Sequence, residues 1–256
     1  MNEPRVLLID AGNSRLKWGI LSGGQLKATG SIENDKLHQT GFAALTTRIP
    51  TRIERVLISN VAGPGLATKL SSVIGLHCGV DVHFARCQKS EFGLVCGYRQ
   101  PRRLGVDRWV GMIGAWTEFK RALVVVDAGT AITIDAIDKT GKHLGGHIIP
   151  GMRLMGESLQ SKTSDIAPAG RARKKPGSEL NLFGRTTADA IVFGSVSAAV
   201  GAVEFAAKRM RASGLRPNIV LTGGDASRIL DQLSSSATSR PNLILQGLSK
   251  MVVDGT

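Results

Sequence analysis

One strand–turn–strand passage occurs twice in this chain, and no other feature restricts its fold so strongly. The apolar residues 6–9 end in Asp10, turn through Ala11, Gly12, Asn13 and Ser14, and resume at Leu16. The apolar residues 123–126 end in Asp127, turn through Ala128, Gly129 and Thr130, and resume at Ile132. Asp10 and Asp127 share one offset (127 − 10 = 117) with Gly12 and Gly129 and with Gly24 and Gly141. Short apolar runs bounded by turn residues read as buried strands, and two such runs across a tight turn as a hairpin. The repeat implies two similar halves facing one another, with two carboxylates and two glycine turns in one cleft.

The remaining periodicity extends each copy into an α/β half. Strands are expected at 6–9, 16–21, 27–31, 55–59 and 80–85, with helices from Asn34 or Asp35 through 49 and from Pro64 through 74. The second half repeats the strands at 122–126, 132–137 and 144–149. Pro150 and Gly151 open a helix, residues 187–210 form a long helix interrupted at Gly194 and Gly201, and 218–222 is a strand. A short helix then runs through 233, and 242–245 is a last strand before a terminal helix. The expected division is residues 1–119 and 120–256. Residues 162–180 lack periodicity and carry Arg171, Arg173, Lys174 and Lys175, which reads as a solvated loop.

Lys and Arg number 33 against 20 Asp and Glu, a net charge of +13. That balance favours anionic partners, either nucleic acid or small phosphorylated and carboxylated ligands. No aromatic residue interleaves the basic run at 171–175, which disfavours nucleic acid. Three cysteines (Cys78, Cys87 and Cys96), odd in number and without CxxC spacing, indicate neither a disulfide framework nor a zinc site, and fit reduced thiols in a cytoplasmic protein. The early residues do not form a signal peptide, and no apolar run approaches the roughly 20 residues of a membrane span.

The turns suit a phosphate chain. Gly12 and Gly129 permit a tight turn in which successive backbone N–H groups cup an anion. Asn13, Ser14 and Thr130 add side-chain donors, Lys17 adds a positive charge, and the strand-end carboxylates hold a cation that screens phosphate. A third turn, Gly223-Gly224-Asp225 after a strand, lets the backbone lie against a flat adenine or ribose. Between the copies, Gly105-Val106-Asp107-Arg108-Trp109 sets an acid beside an arginine at a loop-to-helix junction. Asp107 there is either a catalytic group or a helix-terminal carboxylate answering the macrodipole.

With these motifs in order along the chain, the sequence resembles the type III pantothenate kinases of the actin, heat-shock ATPase and sugar-kinase superfamily. The matching residues are Asp10–Ser14, Tyr98 with Pro101, Gly105–Trp109, Asp127–Thr130, Gly145-Gly146 with Pro150-Gly151, and Gly184–Thr187 with Ala190. The resemblance implies two duplicated ribonuclease-H-like (actin-like ATPase) domains with ATP bound in the cleft between them. It implies ATP-dependent phosphorylation of pantothenate, the first step to coenzyme A. ATP phosphates would meet Asp10, Ala11, Gly12, Asn13, Ser14, Arg15, Leu16, Lys17 and Thr130. Asp107 would be the base. Tyr98, Gly105, Val106, Asp107, Arg108 and Thr187 would hold pantothenate, with Thr187 acting from the neighbouring subunit of a homodimer. Asp127 would bind the monovalent cation (K+ or NH4+), and Asp10 the Mg2+ that accompanies ATP. Ser14 stands where the family usually has Thr, keeping the hydroxyl, and Thr186 replaces a more usual Asn-like residue before Thr187. A regulatory protein and another acid or sugar kinase are the rival readings. Retention of Asp10, Asp107, Arg108 and Asp127 favours the enzyme.

Overall fold

In a computed structural model, which describes residues 3–160 and 183–253, the chain divides into two units. One comprises Met1–Lys120 with Asn242–Thr256, the other Arg121–Pro241.

The first unit is built on β1 (Arg5–Ala11), whose residues are buried from Val6 to Ala11. Such an unbroken apolar strand requires cover on both faces. β2 (Arg15–Ser22) and β3 (Gln25–Glu33) fold back as an antiparallel meander, while β4 (Arg55–Asn60) and β5 (Val82–Phe84) add in parallel, giving the order β3-β2-β1-β4-β5. Alternation along β1 divides its side chains. Leu7 and Ile9 join a core with Leu37, Leu45, Leu70 and Ile74 from α1 (Asn34–Thr40), α2 (Ala43–Thr46) and α3 (Pro64–Cys78). Val6 and Leu8 face the other way, into a core with Val110 of α4 (Val106–Phe119) and Ile244, Leu245, Leu248 and Val252 of the C-terminal helix (Leu243–Val253). A small hairpin, β6 (Ser90–Glu91) and β7 (Leu94–Val95), precedes α4.

The second unit repeats the plan with β8 (Leu123–Ala128), β9 (Ala131–Ile137), β10 (His143–Pro150), β11 (Asn218–Thr222) and β12 (Ala237–Ser239), in the order β10-β9-β8-β11-β12. Again three antiparallel strands are followed by two parallel ones. α5 (Met152–Gln160) follows β10, α6 (Thr187–Ala212) packs Val196, Ala199, Val203, Ala206 and Met210 into this core, and α7 (Ala226–Leu230) follows β11. The duplicated α/β organisation expected from the repeat is therefore present.

Five details differ from the reading of the sequence. The helix expected through residue 49 is split by Gly41, whose φ of 72° ends α1. α6 runs unbroken through Gly194 and Gly201, both on its exposed side, since packing of the opposite face outweighs a glycine penalty of about 1 kcal/mol each. Residues 242–245 are not a strand: Asn242 turns the chain at a φ of 62°, and the apolar run that follows is the start of the C-terminal helix. The last strand is β12, and the C-terminal helix is grouped with the first unit rather than with residues 120–256. Finally, α6 is long and apolar enough, by composition alone, to cross a membrane. Its Ile191, Val196, Ala199 and Val203 are instead core residues of the second unit. The loop expected at 162–180 lies outside the described residues.

Within this unit Glu204 of α6 accepts four hydrogen bonds, from the N–H and Oγ of both Ser234 and Ser235, at 2.7–3.0 Å. Burial alone would raise its carboxyl, but the serine hydrogen bonds outweigh burial and hold it below the usual carboxylate range. The stability this contributes is present above the unfolded-state range and is lost as pH falls through the lowered one. Glu204→Ala is expected to cost about 1–2 kcal/mol near neutral pH, with the difference from the parent shrinking in acid, in urea melts across pH.

Candidate functional site

The two Asp-x-Gly turns sit at equivalent ends of equivalent strands, but they are not identical in shape or surroundings. Asp10 is buried near the end of β1, level with Lys17 on β2 and Ser59 on β4. Paired residues on neighbouring strands share a face of the sheet, so the carboxylate, the ammonium stem and the hydroxyl lie on one side. The Gly12 N–H donates to the Arg15 carbonyl at 3.1 Å. The Gly129 N–H likewise donates to Ala131 at 3.1 Å. Both glycine amides therefore close their hairpins, and the exposed part of the first turn is Asn13, Ser14 and Arg15. Ala11 and Leu16 are core residues, and the Arg15 guanidinium pairs with Glu33 at 2.8 Å.

Asn34 is a residue the sequence did not single out for function. From the first position of α1 its Nδ2 donates to the carbonyls of Gly12 and Asn13 at 2.9 and 2.8 Å, and its N–H donates to Ser14 at 3.0 Å. A buried asparagine thus holds the backbone of the turn from behind. An Asn at a helix start is ordinary capping chemistry, so nothing in the sequence ties it to a turn twenty residues earlier.

In the second unit Asp127 lies level with Thr133 on β9 and Thr222 on β11. Where Asp10 has a lysine, Asp127 has only oxygen-bearing neighbours on the flanking strands. Gly223 runs alongside at a φ of +95°, and a Cβ there would run into the Ala128 carbonyl and the Asp127 carboxylate. The Ala128 carbonyl also accepts from the Asp225 N–H at 3.1 Å, which docks the Gly223-Gly224-Asp225 turn on the end of β8. Thr130 is exposed, and its carbonyl accepts from the Gly151 N–H at 2.9 Å.

The Gly105–Trp109 segment forms the first turn of α4, with Gly105 at its N-cap and Asp107 in its first turn. The Asp107 Oδ1 accepts from the Arg108 N–H at 2.8 Å, and the positive end of the helix favours its charge. Arg108 is buried, donates from Nη1 to the Tyr98 Oη at 3.0 Å, and holds its guanidinium 5.6 Å from the centre of the Tyr98 ring. Tyr98, Asp107 and Arg108, ten residues apart in sequence at most, are thus one cluster, and Gly105 and Val106 open the helix that carries its acid and arginine. Trp109 is fully buried, and its indole N–H donates to Glu91 of β6 at 3.1 Å.

Thr187, in contrast, belongs to the second unit. It begins α6, where Thr186 is the N-cap: its Oγ1 accepts from the Asp189 N–H at 3.1 Å and donates to the Asp189 carboxylate at 2.8 Å. Thr187 lines a cavity of about 410 Å³ with Met155, Leu159, Ala190, Ile191, Gly194 and Ser195, between α5 and α6. Among the described residues no group of three or more His, Cys, Asp or Glu forms a ready-made metal cage.

The profile of the type III pantothenate kinase family matches residues 6–209. A type III pantothenate kinase of Nitrosococcus oceani is 33% identical over 97% of this chain and 94% of its own length. One of Azoarcus sp. is 38% identical over 95% and 89% respectively. Among solved structures, a Baf family protein of Campylobacter jejuni is 21% identical, with a TM-score of 0.61 over 97% of this chain and 98% of its own. A ROK hexokinase of Thermus thermophilus is 12% identical, with a TM-score of 0.52 over 98% and 100%. These two share the fold with this chain. Two matched sheets ending in Asp-x-Gly turns, a Gly-x-Asp-Arg-Trp segment opening α4, and relatives aligned over nearly its whole length make the chain a member of the type III pantothenate kinase family.

Proposed function

We propose that this protein transfers the γ-phosphate of ATP to the primary hydroxyl of pantothenate, giving 4'-phosphopantothenate, the first step of coenzyme A synthesis. The observation that carries the site assignment is the cluster at the start of α4, where Asp107 sits beside a buried, Tyr98-braced Arg108. Asp107 takes the proton from the substrate hydroxyl as its oxygen attacks the γ-phosphorus and ADP leaves. Arg108 pairs with the pantothenate carboxylate, and Tyr98, Gly105 and Val106 complete that grip. Asp10, Gly12 to Arg15, Lys17 and Thr130 hold the ATP phosphates, with the buried Ala11 and Leu16 fixing the turn from the core, and the Gly223-Gly224 turn supports the adenosine end. Positioning and charge neutralisation supply most of the rate, with the base adding a smaller part.

Two ions fit the carboxylates that stand at the strand ends. Asp10 is a single carboxylate, and magnesium held with nucleotide phosphates needs only one or two from the protein. Asp127 with Thr133 and Thr222 at its level is a set of hard oxygens with one negative charge, which suits K+ or NH4+. Bound there, the ions would offset phosphate charge. Thr187 is assigned to pantothenate from a second copy of the chain. In support of a homodimer, the second unit exposes Leu144, Ile148, Leu159, Phe183 and Phe205. Light scattering on the purified protein checks the dimer. We place the protein in the cytoplasm, in keeping with its free cysteines.

Phosphate transfer to pantothenate by purified protein, with and without potassium, tests the function. Product is expected with ATP and magnesium, more with potassium, and Asp127→Asn is expected to abolish the potassium stimulation. No product in either salt overturns the kinase assignment. Asn34→Ala removes the donor behind the first turn and is expected to raise the KM for ATP roughly 3–10-fold, about the value of one lost hydrogen bond, with the KM for pantothenate unchanged in steady-state assays.

A further inference from the structure

Two thiols face one another at the base of the β6–β7 hairpin. The Cys87 and Cys96 sulfurs are 3.7 Å apart, and neither is in a disulfide. The Cys96 N–H donates to the Lys89 carbonyl at 2.9 Å, one step beyond the Ser90–Val95 pair, which keeps the hairpin closed at the level of the sulfurs. Cys87 is buried, while Cys96 is half-buried. Burial, and then the hydrogen bond to Cys96, push the Cys87 thiol up.

The hairpin is tied to the site through both of its strands. Glu91, on the opposite strand, accepts from the Trp109 indole within the Gly105–Trp109 segment, and Tyr98, which accepts from Arg108, follows Cys96 by two residues. A disulfide requires an S–S separation of about 2.05 Å, well inside the present contact, so closing it draws the two flanks of the hairpin together just before Tyr98.

We propose that Cys87 and Cys96 form a reversible intramolecular disulfide that lowers binding of pantothenate by displacing Tyr98. The consequence for turnover rests on the kinase assignment; the disulfide itself does not. The oxidant is a low-molecular-weight disulfide. The half-buried Cys96, as thiolate, attacks one sulfur of that disulfide, forming a mixed disulfide and releasing one small thiolate. Cys87 then gives up its proton and attacks the Cys96 sulfur, forming the Cys87–Cys96 bond and releasing the second small thiolate. Two protein thiols are oxidised, one small disulfide is reduced to two thiols, and the protons end on the released thiolates. The more exposed cysteine is the entry point, and the buried one resolves the mixed disulfide.

The test uses the full-length protein carrying Cys78→Ser, so that this pair holds its only thiols, incubated with oxidised glutathione. Thiol titration is expected to fall from two to none, with a mass loss of two hydrogens. Trypsin cuts after Arg86, Lys89 and Arg99, and the peptide 87–89 is expected to be joined to 90–99 until dithiothreitol separates them. The oxidised enzyme should show a roughly tenfold higher KM for pantothenate and an ATP KM within about twofold, since a displacement on the order of 1 Å at a positioning residue is costly. Cys96→Ser should keep the reduced enzyme's pantothenate KM under the same oxidant. Two thiols that persist, a cross-link between separate chains instead, or an oxidised enzyme with an unchanged pantothenate KM would each overturn the proposal. Thiol count and peptide map do not depend on turnover, so a protein that cross-links but phosphorylates nothing refutes the kinase assignment and leaves the disulfide standing.

Discussion

Asp107→Asn is expected to lower kcat for pantothenate phosphorylation by about 10²–10⁴-fold, the range of a positioned general base. The substitution is nearly isosteric. The asparagine Oδ1 can still accept the Arg108 N–H that now bonds to Asp107 at 2.8 Å, so the first turn of α4 should stand. Arg108 keeps Tyr98 as its partner, which predicts pantothenate binding within about threefold of the parent by calorimetry, less than one ordinary hydrogen bond. A drop confined to kcat is the signature of a group acting only in the transition state. Near-normal turnover would remove Asp107 from the role of base and return it to the structural alternative, a carboxylate answering the helix dipole.

Gly247→Ala is expected to cost about 3 kcal/mol or more, the upper end of overpacking penalties, for the addition of one methyl group. The C-terminal helix crosses α4 at glycine positions on both sides, and a Cβ on Gly247 would collide with the Val110 carbonyl. A Cβ on Gly114 of α4 would in turn meet the Leu243 carbonyl at 2.7 Å and the Gly247 N at 3.1 Å. Backbone atoms in two helices cannot step aside as a side-chain tip can, so the helices must separate and open the core of Val6, Leu8, Val110, Leu245 and Leu248. Gly65→Ala in the first turn of α3 is the control. That Cβ meets nothing, and the change is expected to stabilise slightly, by roughly 0.5 kcal/mol. Thermal and urea unfolding of the two variants side by side checks the contrast. Equal stabilities would mean that the α4 crossing tolerates a wider separation than its contacts imply.

The duplication was legible because each copy carries its own local signals. An apolar run, an aspartate and a glycine turn specify a hairpin from residues adjacent in sequence, and the same order of strands then follows in both sheets. The Gly105–Trp109 segment was legible for the same reason, being one helix turn. What the turns do with their amides was not legible. Gly12 and Gly129 occupy matched sequence positions, yet the first hairpin closes from Arg15 and the second from Ala131, leaving turns of different length. Asn34 supports the first turn through contacts at separations of 20 to 22 residues, beyond the reach of any periodicity.

By itself, the sequence determined the two α/β halves, the strand-end positions of Asp10 and Asp127, and the acid–arginine pair at the head of α4, all of them consequences of short-range pattern. Only the tertiary structure decided that residues 243–245 begin the terminal helix rather than form a strand before it, and that this helix completes the first unit's core although it follows the second unit in the chain. A short apolar run such as Leu243-Ile244-Leu245 satisfies strand and buried helix alike. Which one forms depends on the surface that awaits it, here the glycine-lined face of α4, and the identity of that surface is written more than a hundred residues away.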